Sequence, residues 1–149
     1  MKMENLTPEE AKRFQQILAE INDYQAAADI IRQQIEVLTA SFSELMMTSE
    51  TIKTLEKLKP ETEILVPIGS NSYLTAKIVH TDRVIIGLGA EISAQKRSAE
   101  AIQMLEDRMT EVGNAIQQMR QELEKIDAKI DSLRPEAEKL LEKSRETKP

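Results

Sequence analysis

The sequence predicts an α+β protein, mainly α, in which two long helices form an antiparallel coiled coil around a central β segment. Heptad-patterned apolar residues fill 8–58 and 98–146, whereas 61–97 shows short apolar alternations separated by turn residues. A chain that turns back in this way can pair its second half against its first. Aromatic residues make up 3% and charged residues 31% of the chain, which is typical of long helices. We expect one domain over residues 1–149.

The first helix is predicted to begin at a capping box. Thr7 precedes Pro8, and Glu10 follows where it can bond back to the cap. Neither Gly nor Pro then appears before Pro60, so the helix can extend to about Leu58. Its predicted seam comprises Phe14, Ile21, Ala28, Ile35, Phe42 and Ser49 at a, and Ile17, Tyr24, Ile31, Leu38, Leu45 and Ile52 at d.

The β segment is predicted to contain four strands in two hairpins, with turns at 69–71, at 80–82 and around Gly87 and Gly89. The last strand is taken to alternate through Ala90, Ile92 and Ala94. Pro67 cannot donate to a ladder, which indicates an edge or bulged strand. Four such strands make a sheet with one apolar face and open edges, so either a partner or the chain's own helices must cover it. The predicted assembly residues on that face are Ile64, Val66, Ile68, Leu74, Ile78, Val84, Ile86 and Leu88.

The second helix is predicted to begin at Ser98 as N-cap. Gly113 weakens it, and Pro135 predicts a kink or restart near 131–134. Beyond Leu141 the chain is polar, so we expect a frayed tail. Its seam comprises Ile102, Met109, Ile116, Leu123, Ile130 and Ala137 at a, and Leu105, Val112, Met119, Ile126, Leu133 and Leu140 at d.

The two seams also predict a register in which every a residue faces a d residue. A shift of one heptad would leave unpaired layers at the ends. The facing pairs include Ile52 with Ile102, Ser49 with Leu105, Phe42 with Val112, Tyr24 with Ile130, and Phe14 with Leu140.

Several classes of function find no support in the sequence. A net charge of −6 disfavours nucleic-acid binding, and no apolar run approaches the length of a membrane span. The absence of cysteine excludes disulfides and cysteine metal sites, and the N-terminus lacks the apolar core of a signal peptide, so a cytoplasmic protein is expected. His80 lies in a predicted turn without a nucleophile nearby, and Gly87-Leu-Gly89 precedes a strand rather than a helix. We predict no enzyme activity, no cofactor and no metal.

The order of elements resembles the α-type subunit of archaeal prefoldin. The resemblance lies in Ile64-Leu-Val-Pro-Ile-Gly69, in the strand that begins Ser72-Tyr73-Leu74, in Val84-Ile-Ile-Gly-Leu-Gly-Ala90 and in a second heptad helix ending near Pro135-Glu-Ala-Glu-Lys-Leu-Leu141. It implies an ATP-independent chaperone that is built as a hexamer of two alpha and four beta subunits. In that family the hairpins join into an intersubunit β-barrel, and the coiled-coil tips hold unfolded proteins for a group II chaperonin.

The resemblance implies client binding where the first turns of one helix meet the last turns of the other. Seam packing is the favoured explanation for most of the apolar residues there, which occupy a and d positions, but Leu18 and Leu141 fall at e positions, which usually carry charge. The alternative function is a structural coiled-coil subunit of a filament or scaffold that assembles through its strands. The predicted client-binding residues are Leu6, Phe14, Ile17, Leu18, Ile21, Leu133, Ala137, Leu140 and Leu141.

Overall fold

The computed structural model describes residues 5–146 and contains two helices separated by two β-hairpins. In chain order the elements are α1 (Pro8–Glu56), β1 (Glu63–Gly69), β2 (Ser72–Lys77), β3 (Arg83–Gly89), β4 (Ile92–Arg97) and α2 (Ser98–Arg145). The chain divides into two compact units. One falls within Met1–Leu38 and Ala115–Pro149, and the other is Thr39–Asn114.

The predicted capping box at the start of α1 is confirmed. The backbone N–H of Glu10 donates to Oγ1 of Thr7 at 3.1 Å, and the backbone N–H of Thr7 donates to Oε2 of Glu10 at 3.0 Å. These reciprocal bonds satisfy donors that the first helical turn leaves without an intrahelical partner. They explain why α1 begins at Pro8.

In the unit built from the chain ends, α1 and α2 run antiparallel with a seam that buries Phe14, Ile17, Ala28 and Ile130. Two ion pairs flank this seam. Arg13 contacts Glu136 at 2.9 Å, and both residues are at g; Arg32 contacts Asp127 at 3.5 Å, and both are at e.

In an antiparallel coiled coil, g residues contact g residues and e residues contact e residues of the other helix. The g–g pair and the e–e pair therefore lie on opposite flanks of the seam. A shift of one heptad, about 10 Å along the axis, would separate the partners of one set or the other. The ion pairs therefore agree with the predicted register.

Residues 39–114 agree with the same register. Lys53 and Glu106, both at e, lie 3.9 Å apart. A Cβ at Gly113 would lie 3.8 Å from Cε2 of Phe42. Gly113 directly follows Val112, which is the predicted partner of Phe42. Buried Ser49 belongs to the seam as predicted.

The four strands do not form one sheet. Each hairpin is a separate two-stranded antiparallel sheet, β1 with β2 and β3 with β4, so a shared four-stranded sheet was the wrong expectation. The pairing in both hairpins shifts just before the turn, between Pro67 and Gly69 and between Gly87 and Gly89. The bulge predicted from Pro67 is confirmed.

The two turns have left-handed backbone at both central residues. Ser70 and Asn71 have φ of 47° and 58°, and Ala90 and Glu91 have φ of 50° and 61°. Positive φ at both positions gives the twist that suits tight hairpins. The alternation had predicted that Ala90 belongs to the last strand, but Ala90 lies in the turn before β4. Gly87 lies within β3 and not in the turn.

Two further predictions about α2 are wrong, and of the two predicted effects of Pro135 the restart does not occur while the kink stays a prediction. The hydroxyl of Ser98 is buried and makes no hydrogen bond within residues 5–146, so it does not cap the helix. Instead, the backbone N–H of Ser98 donates to the carbonyl of Asp82 at 2.9 Å, because Ser98 directly follows β4. The helix passes through Pro135 without a restart. It also continues beyond Leu141 to Arg145, where its polar side chains bond to the start of α1.

Candidate functional site

The first hairpin leaves most of its apolar side chains exposed. Leu65 is 66% exposed, and Val66, Ile68, Tyr73 and Leu74 are also exposed. Because neighbouring residues of a strand point to opposite faces, these side chains leave apolar area open on both faces of the hairpin. Ile64 is half-buried and Ile78, just after β2, is buried.

The second hairpin has one face covered by the chain's own helices. Ile86 is 8% exposed and belongs to a core cluster with Ile52, Ala101 and Leu105. Val84 packs against this cluster, and the guanidinium of Arg108 donates to the carbonyl of Gly87 at 3.0 Å. Of the predicted assembly residues, Ile78 and Ile86 are therefore buried within the chain itself. Ile64 and Val84 are half-buried, and Val66, Ile68, Leu74 and Leu88 are exposed.

Several exposed apolar residues were not predicted as assembly residues. They alternate with the predicted ones along the strands, so their side chains point to the opposite face of each hairpin. Ile85 is 76% exposed, and Leu65 lies in the same phase of the first hairpin. Tyr73, Val79 and Ile92 are also exposed. The signal was present in the consecutive apolar runs Ile64-Leu65-Val66 and Val84-Ile85-Ile86, which are typical of strands buried on both faces.

The predicted client-binding residues all lie in the unit formed by the chain ends. Ile17 is fully buried and Phe14 nearly so, whereas Leu18 is 41% exposed. The structure thus brings the predicted residues onto one end of the helix pair but covers the seam residues. Half-buried positions are held by Leu6, Ile21, Leu133, Ala137, Leu140 and Leu141.

Polar contacts close this end of the helix pair. The ammonium of Lys143 donates to Oε1 of Glu10 at 2.6 Å, while Oε2 of Glu10 serves the capping box. The side-chain amide of Asn5 donates to the carbonyls of Ser144 and Glu146, which lie at the C-terminal end of α2. We call these contacts, together with the ion pair of Arg13 and Glu136, the end clasp.

The end clasp shifts the ionisation of its members. The hydrogen bond from Lys143, followed by that from the backbone of Thr7, holds the pKa of Glu10 below its ordinary value. The Arg13 guanidinium likewise lowers the pKa of Glu136, and Glu136 raises the pKa of Arg13. Because every one of these side chains is partly exposed, salt screens their interactions.

Residues 5–146 offer little for other chemistry. Within that range, no group of His, Asp and Glu side chains could hold a metal ion. His80 is an exposed loop residue between β2 and β3. Neither helix, over the part of the chain described, has a stretch long and apolar enough to cross a bilayer.

Comparisons with known proteins point to one family. The family model described as prefoldin subunit matches residues 24–143. Prefoldin subunit alpha of Methanopyrus kandleri is 32% identical over 104 residues, which cover 70% of this chain and 66% of the relative, about two thirds of its length. Prefoldin subunit alpha 1 of Thermococcus kodakarensis is 35% identical over 103 residues, covering 69% of this chain and 70% of the relative.

A solved structure gives the same answer for the fold. A chain in the cryo-EM structure of filamentous PFD from Methanocaldococcus jannaschii superposes with a TM-score of 0.70 at 28% identity, covering 79% of this chain and 98% of that chain. The chain therefore belongs to the prefoldin subunit family, with the archaeal alpha-type subunits as its relatives.

Proposed function

We propose that this chain is the alpha-type subunit of an ATP-independent chaperone that binds unfolded polypeptides in the cytoplasm and delivers them to a group II chaperonin. The observation that carries the proposal is the first hairpin, whose apolar side chains are exposed on both faces. An isolated two-stranded hairpin is marginally stable in water, and its edges are free to pair. Other subunits would supply the missing cover.

The partners that suit this hairpin are the hairpins of related subunits. We infer a hetero-hexamer of two alpha and four beta subunits in which alpha also contacts alpha, and the strands close into a β-barrel. Closure removes free edges and buries the outward apolar residues. The predicted assembly residues with exposed side chains are Val66, Ile68, Leu74 and Leu88. Ile85 and Leu65 are also exposed, and their side chains point to the opposite face of the strands.

Client binding is proposed for the end of the helix pair that carries Leu18. This leucine is exposed at an e position, one residue after buried Ile17 and four after buried Phe14. One such leucine gives a weak contact. Several arms around a common space raise the effective concentration of binding sites, so weak contacts can hold an unfolded chain without a nucleotide cycle.

Dilution of a chemically unfolded test protein, followed by light scattering with and without this chain, tests the proposal. The mass of the assembly is measured in parallel by multi-angle scattering, alone and with a beta-type subunit. We expect suppressed aggregation and a closed particle of fixed mass. A stable particle that leaves aggregation unchanged at stoichiometric excess would contradict the chaperone function.

The second candidate function is a structural subunit that builds a filament or scaffold. Its support is the similarity to a chain of filamentous PFD and the free strand edges of both hairpins. This function predicts particles whose mass grows with protein concentration and no preference for unfolded chains. The two measurements above therefore separate it from the chaperone.

A further inference from the structure

The two hairpins are structural repeats that differ in charge at their open ends. Glu63 pairs with Lys77 in the first hairpin, and Arg83 pairs with Arg97 at the corresponding place in the second. The paired positions that follow, the shift before the turn and the left-handed turn residues correspond one to one. The first hairpin therefore joins opposite charges at a place where the second joins like charges.

The geometry of the ladder brings the two arginines of the second hairpin close together. The backbone N–H of Ser98 donates to the carbonyl of Asp82 at 2.9 Å, so residues 82 and 98 occupy a hydrogen-bonded position. Hydrogen-bonded and non-hydrogen-bonded pairs alternate along an antiparallel ladder, which makes Arg83 and Arg97 a non-hydrogen-bonded pair with Cα atoms about 4.5 Å apart. Like charges directly opposite each other are destabilising, so a counter-charge at this place would stabilise the hairpin.

The chain itself supplies only part of that counter-charge. Asp82 contacts Nε of Arg83 at 3.4 Å, but the Asp82 side chain is 77% exposed. Neither Arg97 nor Lys96 makes an ion pair within residues 5–146. Two arginines and one lysine are thus accompanied by one carboxylate, which leaves this end of the hairpin cationic in a chain of net charge −6.

The arginine pair opens to solvent and not to the helices. Ile85 follows Arg83 by two residues on the same face of β3 and is 76% exposed, whereas Val84 and Ile86 pack towards the helix core. Gln95 is paired with Ile85, so its amide belongs to the open face as well. An open groove of about 640 Å³ lies at this end of the hairpin. Its lining is Asp82, Arg83, Gln95, Lys96 and Arg97.

We propose that this groove binds a phosphate-type oxyanion between the two guanidinium groups. A guanidinium presents a fork of N–H donors that matches two oxygens of a phosphate, and such charge-assisted hydrogen bonds are stronger than neutral ones. The anion supplies the counter-charge between Arg83 and Arg97 and stabilises the second hairpin. This inference goes beyond the proposed function and does not rest on it, because every group that it uses lies in one chain.

The lining favours a condensed phosphate over a nucleotide or an apolar peptide. Its five residues are all polar or charged, so neither a nucleotide base nor an apolar side chain finds a surface to pack on. Each guanidinium can bind one phosphoryl group, which gives a condensed phosphate contacts that a single phosphate lacks. The ligand class is therefore a short inorganic polyphosphate, recognised through its oxygens.

Calorimetric titration of the full-length chain with inorganic pyrophosphate tests the site, at an ionic strength held constant with chloride. We expect saturable binding that Arg83→Gln and Arg97→Gln each weaken about tenfold, because each removes one charge-assisted contact. Lys77→Gln removes the same charge at the corresponding place in the first hairpin, and Arg120→Gln removes it from an exposed position of α2. Both controls should leave the affinity unchanged.

Hydrogen exchange locates the bound anion and guards against loss of fold. In the wild-type chain, pyrophosphate should slow exchange in β3 and β4 and leave β1 and β2 unchanged, since a ligand stabilises the segment that binds it. Arg97→Glu places a carboxylate opposite Arg83. This variant should lose pyrophosphate binding while its second hairpin exchanges more slowly than in the wild type in chloride alone, which separates loss of the site from unfolding.

Several outcomes would overturn the proposal. Equal affinities of Arg97→Gln and Arg120→Gln, or equal slowing of exchange in both hairpins, would show diffuse attraction without a site. An absence of saturable binding at millimolar pyrophosphate would exclude it. Tighter binding of ATP than of tripolyphosphate would indicate a nucleotide site, and displacement of pyrophosphate by a lower concentration of a hexaglutamate peptide would assign the groove to an acidic protein segment instead.

Discussion

Glu136 accepts two hydrogen bonds from a single guanidinium, at 2.9 Å from Nε and 3.1 Å from Nη2 of Arg13. This fork joins the second turn of α1 to a turn near the end of α2, over a separation of 123 residues. Bidentate pairing of this kind fixes geometry as well as charge. The residue that follows Arg13 in sequence, Phe14, is buried in the seam.

Replacing Arg13 with Lys should loosen the end of the helix pair. A lysine keeps the charge but loses the planar fork, so one of the two hydrogen bonds to Glu136 cannot form. We expect faster amide hydrogen exchange in the first turns of α1 and the last turns of α2, with little change in Tm. Arg120→Lys is the matched control, because Arg120 makes no ion pair among the described residues. Equal exchange in the two variants would show that the fork does not hold the end.

Acid should loosen the same end. The folded-state pKa values of Glu10 and Glu136 are lowered, so their contribution to stability is fully present above the unfolded pKa and is lost as pH falls through the folded values. Hydrogen exchange corrected for intrinsic rates should therefore show opening of the end below about pH 4.5, the ordinary value for these carboxyls. In the double variant Glu10→Gln and Glu136→Gln, this pH dependence should largely disappear. A wild-type chain with a flat profile would contradict the assignment.

Replacing Leu18 and Leu141 together with Ser should weaken aggregation suppression without unfolding the helices. Leu18 is exposed and Leu141 half-buried, so the change removes little packed area. Circular dichroism melting should show a nearly unchanged Tm, while light scattering of the unfolded test protein should rise. Ile17→Ala is the contrasting control and should cost about 2 to 5 kcal/mol, because Ile17 is fully buried. A large loss of helix in the Leu18 and Leu141 variant would place both in the packed seam.

Cysteines at positions 42 and 112 should form a disulfide within the chain, and cysteines at 42 and 105 should not. Phe42 and Val112 face each other in the register that the flanking ion pairs support, whereas position 105 is a heptad away, about 10 Å along the axis. Non-reducing electrophoresis of the two double variants gives the readout. Cross-linking of 42 with 105 in preference to 112 would require a different register.

Gly113→Ala should stabilise the chain by about 0.5 to 1 kcal/mol, which raises Tm by a few degrees. Gly113 lies inside α2, and the added Cβ would meet the Phe42 ring at an ordinary contact distance of 3.8 Å. The gain comes from the lower backbone entropy of the unfolded chain. Thermal melting measures it, and Gly89→Ala should instead destabilise, because Gly89 has φ of 95°. A lower Tm for Gly113→Ala would show that the Phe42 ring cannot accept the methyl group.

The helices, the capping box, the hairpins and the register followed from the sequence because each has a local signal. Thr7 and Glu10 have cap spacing, the seams repeat every seven residues, and Gly69 and Gly89 mark the turns. These patterns depend on neighbours within one or two turns of chain. That is why they could be read before the tertiary structure was known.

Features that depend on distant residues could not be predicted in the same way. The tail beyond Leu141 is helical to Arg145, and its Lys143 bonds to Glu10, which is 133 residues away in sequence. The covered face of the second hairpin is set by Ile52 and Leu105, since β3 is apolar on both faces and either could have packed inward. Ser98 has the composition of a cap, but its position directly after β4 buries its hydroxyl. For the candidate site, the e positions of Leu18 and Leu141 distinguished these leucines from the seam residues, but the heptad pattern could not show that Leu18 is exposed and Leu141 half-buried.

The hairpins also determine the order in which the molecule can fold. Each hairpin joins residues that are close in the chain and can form in microseconds, which shortens the loop that separates the two helices. Pairing of α1 with α2 near Ile52 and Ala101 then closes the shortest loop, so we expect it to start there. We expect the bond from Asn5 to Ser144, which spans 139 residues, to form last and to open first. The central hairpins should therefore act as the nucleus from which helix pairing proceeds towards the two chain ends.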